Sequence, residues 1–354
     1  MMRHLFRIII PALVLLFPAG TAWGTRYYVS ASGGDDNNNG LSWATAFASL
    51  QKALNVAVAK DTIWMAKGTY LPVIDRNGDA SAARARNRTF KMKDSVQIYG
   101  GFAGNEPASY DISLRDFVTN ETILSGDLNG NDGPNFTNIS DNVYNVVGVT
   151  GSVSDFTVLD GVTITGGYAN GSSAPSAYGG AMSIEGGCRI QVRNVNIRGN
   201  CGKLSGGVGG VNLQNCTPTF VNVRFIGNQG GAMRIYYNGQ TTTAVLTNVV
   251  FQDNPGGDIG GIRTSGTVSL TLTNVTFYNN SSTNTPSGGA AVCLSAQTTT
   301  LIRNCILYGN TSNAGGDLST TGIITLRNSL VGGTFYNASG ASSSMTAPAF
   351  VNPT

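Results

Sequence analysis

The chain of 354 residues contains 47 glycines and 35 asparagines, and only 12% of its residues are charged, against about a quarter in an average protein. Its 41% apolar content excludes disorder, because disordered chains combine few apolar residues with high net charge. Few Glu and Lys argue against an all-helical fold, and so many glycines and asparagines indicate tight turns between short strands. The composition therefore predicts an all-β, turn-rich protein.

Residues 1–24 are predicted to be a signal peptide. A basic start with Arg3 and Arg7 precedes an apolar stretch at 8–17 and a small-residue cleavage site at 22–24. The apolar stretch is shorter than the roughly 20 residues that span a bilayer, and a buried N-terminal strand is the alternative. Removing the segment takes away two arginines and lowers the net charge from +3 to +1. We expect an exported protein, secreted or at the cell surface or outer membrane, with neither nucleic acid nor an acidic membrane favoured as partner.

The same cleavage removes the only histidine, His4. Ser-His-Asp and Cys-His nucleophile systems, His-bearing zinc sites and two-His iron sites are thereby excluded. Any catalysis would depend on carboxylates, Tyr, Lys or Arg, together with a bound cation. The cysteines lack CxxC spacing, so we expect buried single thiols, and export leaves a disulfide such as Cys293 with Cys305 open. The five cysteines are Cys188, Cys201, Cys216, Cys293 and Cys305.

One amphipathic helix is predicted, at residues 42–59, with Phe47, Leu50, Leu54 and Val58 on one stripe. Such a helix can cover the exposed end of a repetitive β fold. We therefore expect it to cap the N-terminal end of the fold. The sequence shows no equivalent cap at its C-terminal end.

Three Gly- and Asn-rich loops of the N-terminal half concentrate the acidic residues. Each offers several carboxylate and amide oxygens, the ligands that calcium prefers. None is an EF-hand, since the third loop has Asp132 where the sixth-position glycine is needed and Asn138 where a bidentate Glu is needed. Calcium sites and solvated turns both stay open for these loops. The candidate calcium ligands are Asp35, Asp36, Asp75, Asn77, Asp79, Asp127, Asn129, Asn131 and Asp132.

A repeat organises the second half of the chain. One asparagine recurs every 24 to 30 residues, and in all units but the last the residues two before, one after and three after it are apolar. These anchor asparagines are Asn194, Asn222, Asn248, Asn274, Asn304 and Asn328. A second asparagine follows six positions later, at Asn200, Asn228, Asn254, Asn280 and Asn310, and double glycines separate the units. A weaker copy at residues 159–164 places the start of the regular array near residue 155.

A period in the twenties built from short β-branched and aromatic runs indicates a solenoid. Leucine-rich repeats have this length but need leucines at fixed offsets and usually contain helices, so a single-stranded parallel β-helix fits better. We predict an N-terminal cap with irregular coils at 25–155 and regular repeats at 156–354. The apolar pattern bends at the anchor asparagine, which indicates a left-handed turn there. Coils stacked at about 4.8 Å would join Asn194, Asn222, Asn248, Asn274 and Asn304 in an internal amide ladder.

Short motifs carry a resemblance to known proteins. Phe225–Asn228, Phe251–Asn254 and Phe277–Asn280, together with the Gly-Gly-aliphatic units, resemble the polymorphic outer-membrane protein repeats of exported bacterial β-helices. The N-terminal half, with Lys67–Tyr70 and Tyr99–Glu106, resembles bacterial surface proteins, often of Bacteroidetes type, with a pectate-lyase-like superfamily fold. The resemblance implies a right-handed parallel β-helix. Enzymes of the pectate-lyase-like type hold calcium with acidic residues on adjacent coils and use Arg or Lys as base, and related hydrolases use grouped aspartates. The resemblance therefore implies that an active site in this chain would contain such acidic residues.

Acidic residues are scarce in the repeats. From residue 161 onward they are Glu185, Asp253, Asp258 and Asp317. Asp253 and Asp258 share one coil, but a hydrolytic pair needs carboxyls about 5–10 Å apart across a cleft, and turn solvation explains both more simply. This scarcity and the loss of His favour a non-enzymatic surface protein for adhesion or for binding a glycan or another macromolecule. A polysaccharide lyase or glycoside hydrolase of the same fold is the alternative, because fold alone does not decide between them.

Residues four positions past the anchor asparagine are predicted to form an outward stripe: Arg198, Ile226, Gln252, Tyr278 and Tyr308. Tyr236 and Tyr237 add aromatic area nearby in the sequence. Aromatic rings with amide and guanidinium neighbours suit sugar faces and hydroxyls, and a coil spacing near 4.8 Å is close to the length of one sugar unit. We predict a glycan-binding surface here, with unliganded outward tyrosines as the alternative.

Overall fold

The computed structural model describes residues 24–203, 206–283, 290–313, 316–332 and 335–337. Every strand pair in these ranges is parallel, and successive coils stack into three long sheets. The predicted all-β parallel β-helix is therefore confirmed. Nearly all of the predicted signal peptide and residues 338–354 lie outside the described residues. Within the described ranges no helix has the length and apolarity needed to cross a membrane.

Within one repeat the chain passes through sheet 1, the anchor turn, sheet 2 and then sheet 3, and the three long sheets are numbered in that order. Sheet 1 contains the described strands Arg26–Val29, Thr62–Ala66, Gln97–Phe102, Val158–Asp160, Gln191–Arg193, Thr219–Val221, Thr242–Thr247, Val268–Thr273, Thr298–Arg303 and Ile323–Arg327. Sheet 2 follows the anchor turn and contains Gly68–Tyr70, Thr122–Ser125, Thr163–Thr165, Asn196–Arg198, Arg224–Ile226, Val250–Gln252, Thr276–Tyr278, Ile306–Tyr308 and Leu330–Val331. Sheet 3 closes the coil with Phe90–Lys91, Val147–Thr150, Met182–Glu185, Val211–Gln214, Met233–Tyr236, Ile262–Ser265, Val292–Leu294, Leu318–Thr320 and Phe335–Asn337.

Shorter elements fill the corners and the N-terminal loops. Two small parallel sheets pair Tyr168–Ala169 with Cys201–Gly202, and Pro255–Gly256 with Ser281–Ser282 and Thr311–Ser312. The α-helix of the described chain is Leu50–Val56. Short 3-10 helices occur at Trp43–Thr45, Ala82–Asn87, Ile112–Leu114, Pro134–Phe136 and Ile139–Asp141. Sheet 1 runs unbroken from its first coil to its last, so the irregular N-terminal half and the repeats share one core.

The N-terminal helix is shorter than the predicted 42–59. The Ser49 side chain caps it by accepting a hydrogen bond from the Lys52 N–H (3.1 Å), and at Ala57 the backbone leaves the helix. Val58 lies beyond that point and is 61% exposed, so the prediction that it belongs to the buried stripe was wrong.

The other residues of the predicted stripe are buried, Leu50 and Leu54 within the helix and Phe47 in the segment before it. Phe47, Leu50 and Leu54 belong to the main hydrophobic core. The helix packs against Arg26–Val29 and Phe90–Lys91, the first strands of sheets 1 and 3. It therefore covers the N-terminal end of the solenoid.

The anchor asparagines adopt the predicted left-handed turn, with φ between 52° and 56° from Asn194 to Asn274. Their amides form a ladder in which Asn222 Nδ2 donates to Asn194 Oδ1 (3.1 Å), and Asn248 and Asn274 continue the pattern at 3.2 and 3.0 Å. The prediction that this ladder is internal was wrong, because Asn222, Asn248 and Asn274 are exposed. The left-handed corner directs the amide outward, while the apolar residues on either side of it point into the core.

The internal ladder consists of the second asparagines. Asn200, Asn228, Asn254 and Asn280 are fully buried, and the Nδ2 of each donates to the Oδ1 of the next coil's asparagine at 2.7–3.0 Å. The backbone N–H of each donates to that same oxygen. The other amide hydrogen reaches a carbonyl of the preceding coil, as from Asn254 to Phe225 O (3.0 Å). Each buried amide is thus fully hydrogen-bonded, the condition under which buried polar groups stabilise a core.

This ladder ends on a carboxylate. Asn310 Nδ2 and N–H both donate to Asp317 Oδ1, at 2.6 and 3.0 Å. Burial raises the pKa of Asp317, and the two donors from Asn310 oppose that shift. Next to the ladder the rings of Phe225, Phe251 and Phe277 stack at 4.6 Å between centroids.

The buried cysteines behave as the sequence suggested. Cys188, Cys201, Cys216 and Cys305 are buried thiols without a disulfide, so the bond between Cys293 and Cys305 is not formed. Burial raises the pKa of Cys188 to about 11 and that of Cys201 to about 12. These thiols act as small apolar residues of the core.

Asn254→Ala and Asn248→Gly test the two ladders against each other. Asn254→Ala strands donors and acceptors on three buried neighbours and should cost at least about 3 kcal/mol in the free energy of unfolding. Asn248→Gly keeps the left-handed corner and removes only exposed hydrogen bonds, so we expect a loss of about 1 kcal/mol or less. Urea denaturation followed by circular dichroism measures both. Equal losses would contradict the assignment of the internal ladder.

Asp317→Asn should change the pH dependence of stability. The folded-state pKa of Asp317 lies above its ordinary value of 3.8. Protonated Asp317 therefore stabilises the folded state fully below pH 3.8, and this stabilisation is lost as pH rises through the folded-state pKa. The variant keeps an acceptor oxygen but does not titrate. Its melting temperature relative to the parent should therefore rise as pH increases from 3.8 through the raised folded-state pKa. A constant difference across this range would show that Asp317 does not titrate in this way.

Candidate functional site

The predicted outward stripe exists on sheet 2. Arg198, Ile226, Gln252, Tyr278 and Tyr308 are direct partners on consecutive strands. Both tyrosines are exposed, with 49% and 57% of their surface accessible. The sequence spacing thus predicted the register of this column correctly.

Both tyrosine rings lie against the backbone of the following coil. A Cβ atom placed on Gly309 would be 3.5 Å from Tyr278 Cε2, and one placed on Gly332 would be 2.7 Å from Tyr308 Cδ2. The missing side chains allow each ring to pack closely on the next coil while much of it faces solvent. Adjacent coils, about 4.8 Å apart, therefore each present one aromatic ring at the same register position.

Polar groups of the stripe are held by protein partners. Arg198 Nη2 forms an ion pair with Glu121 at 3.0 Å. Gln252 Nε2 donates to Asp253 Oδ2 (2.9 Å), and Asn279 Nδ2 donates to Asp253 Oδ1 (2.6 Å). These contacts fix the amide of Gln252 next to Tyr278 and the guanidinium of Arg198 farther along the same column.

Tyr236 and Tyr237 lie elsewhere. Tyr236 is at the end of a sheet 3 strand, with Gln214 and Ser265 as partners on the neighbouring coils. Tyr237 follows it and packs over Gly266. The structure therefore does not bring these two tyrosines onto the stripe of Tyr278 and Tyr308.

The outer side of sheet 3 carries a polar row that the sequence did not suggest. Gly148, Ser183, Asn212, Arg234 and Arg263 are partners on consecutive strands. Strand alternation in short segments such as residues 211–214 and 233–236 was the available signal, because every second residue there is polar.

Arg234 is the central cation of this row. Its guanidinium lies 4.0 Å from the ring centre of Tyr178 and 4.5 Å from that of Tyr236. Its Nη1 donates to Asn212 Oδ1 at 3.0 Å. Burial lowers the pKa of Arg234, and the nearby tyrosines oppose that shift.

A cleft of about 200 Å³ opens where N-terminal loops cover the beginning of sheet 3. We call it the Arg76 cleft, and its lining residues are Asp75, Arg76, Asn77, Arg84, Asn87, Tyr144, Asn145, Pro175 and Ser176. Arg76 Nη2 donates to Asn145 Oδ1 at 3.2 Å. Burial lowers the pKa of Arg76, and the negative charge of Glu185 opposes that shift.

Carboxylates of the three predicted calcium loops accept hydrogen bonds from nearby backbone. Asp36 accepts from the N–H groups of Ala48 and Ser49, both at 2.9 Å. Asp35 accepts from the Asn37 N–H at 2.9 Å. Asp36 thus ties its loop to the start of the helix, and Asp35 closes a turn.

The second loop is also closed by a carboxylate. Asp75 Oδ1 accepts from the N–H groups of Asn77 and Asp79, at 2.7 and 2.9 Å. Asp75 Oδ2 is 3.4 Å from Arg84 Nη1. Asp75 therefore already has both backbone and cationic partners.

In the third loop, Asp127 accepts hydrogen bonds from the N–H groups of Gly130, Asn131 and Asp132. Asp132 Oδ2 accepts from Asn142 Nδ2 (2.9 Å), and burial raises the pKa of Asp132. The Asn129 N–H donates to Asp141 (3.1 Å). In the part of the chain that the structure describes, no three His, Cys, Asp or Glu side chains form a group that could hold a metal ion.

The two aspartates of one repeat coil have separate partners. Asp258 forms an ion pair with Arg263. Asp253 takes a left-handed corner and bonds Gln252 and Asn279. Turn and surface contacts thus account for both residues.

Comparison with known proteins gives structural likenesses alone. No protein-family model matches the chain, and no curated protein matches its sequence. Among solved structures, it is similar to a rhamnogalacturonan lyase, with 13% identity, a TM-score of 0.42, and coverage of 91% of this chain and 90% of the other. It is also similar to pectate lyase Pel9A, with 16% identity, a TM-score of 0.39, and coverage of 90% and 81%. The fold of this chain follows from its own parallel strand pairing, and these likenesses assign no activity to it.

Calcium binding by the loops stays a prediction. Millimolar calcium should raise the melting temperature if backbone and amide oxygens complete a site around these carboxylates. Asp127→Ala with Asp132→Ala should abolish most of that rise, measured as the calcium increment within each variant because the substitutions also open a turn. If calcium did not change the melting temperature of the parent protein, the prediction would be wrong, and these carboxylates would serve only to close their turns.

Proposed function

We propose that this protein is an exported or cell-surface β-helix. It binds an extended glycan along the outer side of sheet 2 and does not catalyse a reaction of that glycan. The observation that carries the proposal is the pair of half-exposed rings of Tyr278 and Tyr308, in register on adjacent coils. Export rests on the predicted signal peptide, and adhesion through this surface is the role that follows from it.

The chemistry of the stripe suits a sugar chain. Aromatic rings pack against the apolar faces of sugar rings, and amide and guanidinium groups bond hydroxyls. Arg198 and Gln252 extend the tyrosine pair along the same column. Their partners Glu121 and Asp253 hold them in fixed positions, which lowers the ordering cost on binding.

The acidic side chains of the repeats already have hydrogen-bond or ion-pair partners, and this favours binding over catalysis. Glu185 accepts from Ser183 Oγ, Asp253 from Asn279, and Asp317 from Asn310. Asp258 is paired with Arg263. Acids with such partners support structural roles, and a lyase or hydrolase would need an acid or base free to meet its substrate.

Replacing both tyrosines tests the proposal. Tyr278→Ser with Tyr308→Ser should weaken retention on the bound glycan roughly ten- to thirtyfold, since each stacked ring contributes on the order of 1 kcal/mol. The melting temperature should stay nearly unchanged because both side chains are outside the core. A glycan array of neutral and charged polysaccharides, read with parent and variant, provides the measurement.

Phe156→Ser is the matched control, because Phe156 is 66% exposed and lies off the stripe. It should retain the parent's glycan set and binding strength. If the tyrosine double variant bound the same glycans as strongly as the parent, the proposed binding surface on sheet 2 would be wrong. New reducing ends or unsaturated products from an incubated polysaccharide, with or without calcium, would instead establish the enzymatic alternative.

A further inference from the structure

Arg76 is a half-buried cation without a carboxylate partner. Among the described residues, no carboxylate oxygen lies within 4.0 Å of its guanidinium, whereas Arg84 across the cleft has Asp75 at 3.4 Å and Asp79 at 4.0 Å. Glu185 acts on Arg76 only from a greater distance. A charge withdrawn from water without a counter-ion costs free energy. An anion that enters the cleft would recover that cost.

Asn145 fixes the position of this guanidinium. Asn145 Nδ2 donates to the carbonyl oxygens of Pro175, Tyr178 and Gly179, at 3.3, 2.8 and 2.8 Å. Because three carbonyls surround the Nδ2 end, the Oδ1 end must face Arg76, and it accepts from Nη2. One edge of the guanidinium is thereby held, and its other N–H groups stay available to a ligand.

Gly148 supplies the floor beneath Arg76. A Cβ atom at this position would lie 3.2 Å from Arg76 Cζ and 3.2 Å from Thr89 Oγ1. The guanidinium therefore packs on bare strand backbone of sheet 3. Even an alanine Cβ at residue 148 would require the guanidinium or Thr89 to shift by a few tenths of an ångström, and a larger side chain would compete for the same space.

The remaining lining indicates the size and kind of ligand. Asn77, Asn87 and Ser176 bring amide and hydroxyl groups to the cleft, and Tyr144 contributes an aromatic ring. The guanidinium of Arg86 lies 4.2 Å from the centre of that ring and so takes one of its faces. A space of about 200 Å³ is smaller than the roughly 300–1,000 Å³ of pockets for drug-sized ligands. Such a cleft fits one small polar ring.

We propose that the Arg76 cleft binds the anionic group of a single acidic sugar, a carboxylate or a sulfate ester, with Arg76 as its counter-ion. Arginine suits both groups because its planar fork can donate two parallel hydrogen bonds to their oxygens. The sugar hydroxyls would meet the amides of Asn77 and Asn87. This site is separate from the tyrosine stripe of sheet 2 and does not depend on it.

Titration calorimetry of the full-length protein tests the site with glucuronic acid, glucose 6-sulfate and glucose. We expect at least one acidic sugar to bind about tenfold or more tightly than glucose, with affinity that falls as salt rises. The arm that binds distinguishes a carboxylate from a sulfate ligand. Acidic sugars that bind no better than glucose would overturn the proposal.

Three variants separate this site from general charge effects. Arg76→Gln should lose about tenfold in affinity for the acidic sugar. Arg303→Gln removes the same charge from an exposed position on sheet 1 and should lose nothing. Gly148→Ala keeps every charge but displaces the guanidinium, so its affinity should also fall. Equal losses in Arg76→Gln and Arg303→Gln, or no loss in Gly148→Ala, would contradict the cleft.

The tyrosine double variant of sheet 2 keeps the two proposals distinguishable. Tyr278→Ser with Tyr308→Ser should leave acidic-sugar binding in the cleft unchanged. Loss of cleft binding in that variant would mean that one ligand site had been mistaken for two. Where Arg76→Gln lowers the melting temperature, Gly148→Ala supplies the deciding measurement.

Discussion

The internal asparagine ladder is the constraint on which the rest of the solenoid depends. Each buried amide donates to the next coil and to the preceding one and accepts two hydrogen bonds, so no coil can slide without leaving buried polar groups unpaired. The ladder fixes the register of sheet 2 on consecutive coils. The alignment of Tyr278 with Tyr308 on the outside therefore follows from the hydrogen bonds inside.

The repeat in the sequence predicted the solenoid, its period and the left-handed anchor corner, but it did not distinguish the two ladders. Both asparagines recur with the same period, and whether an amide points in or out depends on the conformation of each corner. The missed signal was the residue before the second asparagine, which is Gly227, Asp253 or Asn279 in successive coils. These residues take the left-handed conformation themselves, with φ of 61°, 54° and 53°. The corner is thus complete one residue early, and the following asparagine points inward.

The Arg76 cleft could not be predicted from the sequence in the same way. Its residues come from three stretches near residues 75–87, 144–145 and 175–176, none of which lies at the asparagine-anchored positions that recur from coil to coil. They meet because the irregular N-terminal coils carry long connections that lie over sheet 3. The length of a connection is visible in the sequence, but the face that it covers is not. In the sequence, nothing distinguishes Gly148 from the other glycines among the 47. Its role becomes visible only in the structure, where Arg76 packs on it.

The two surfaces differ because their scaffolds differ. Regular coils repeat the same outward position at a fixed spacing, so they present an extended row whose contacts are similar from coil to coil. Irregular connections instead build one concave place with a charge held in a defined orientation by Asn145 and the bare backbone of Gly148. The ladder that stabilises the core bonds the stripe residues Arg198 and Tyr308 through their backbone carbonyls and leaves their side chains free to differ. Outward residues can therefore vary with the ligand while the buried asparagines keep the same coil, and this is how one fold supports different binding sites.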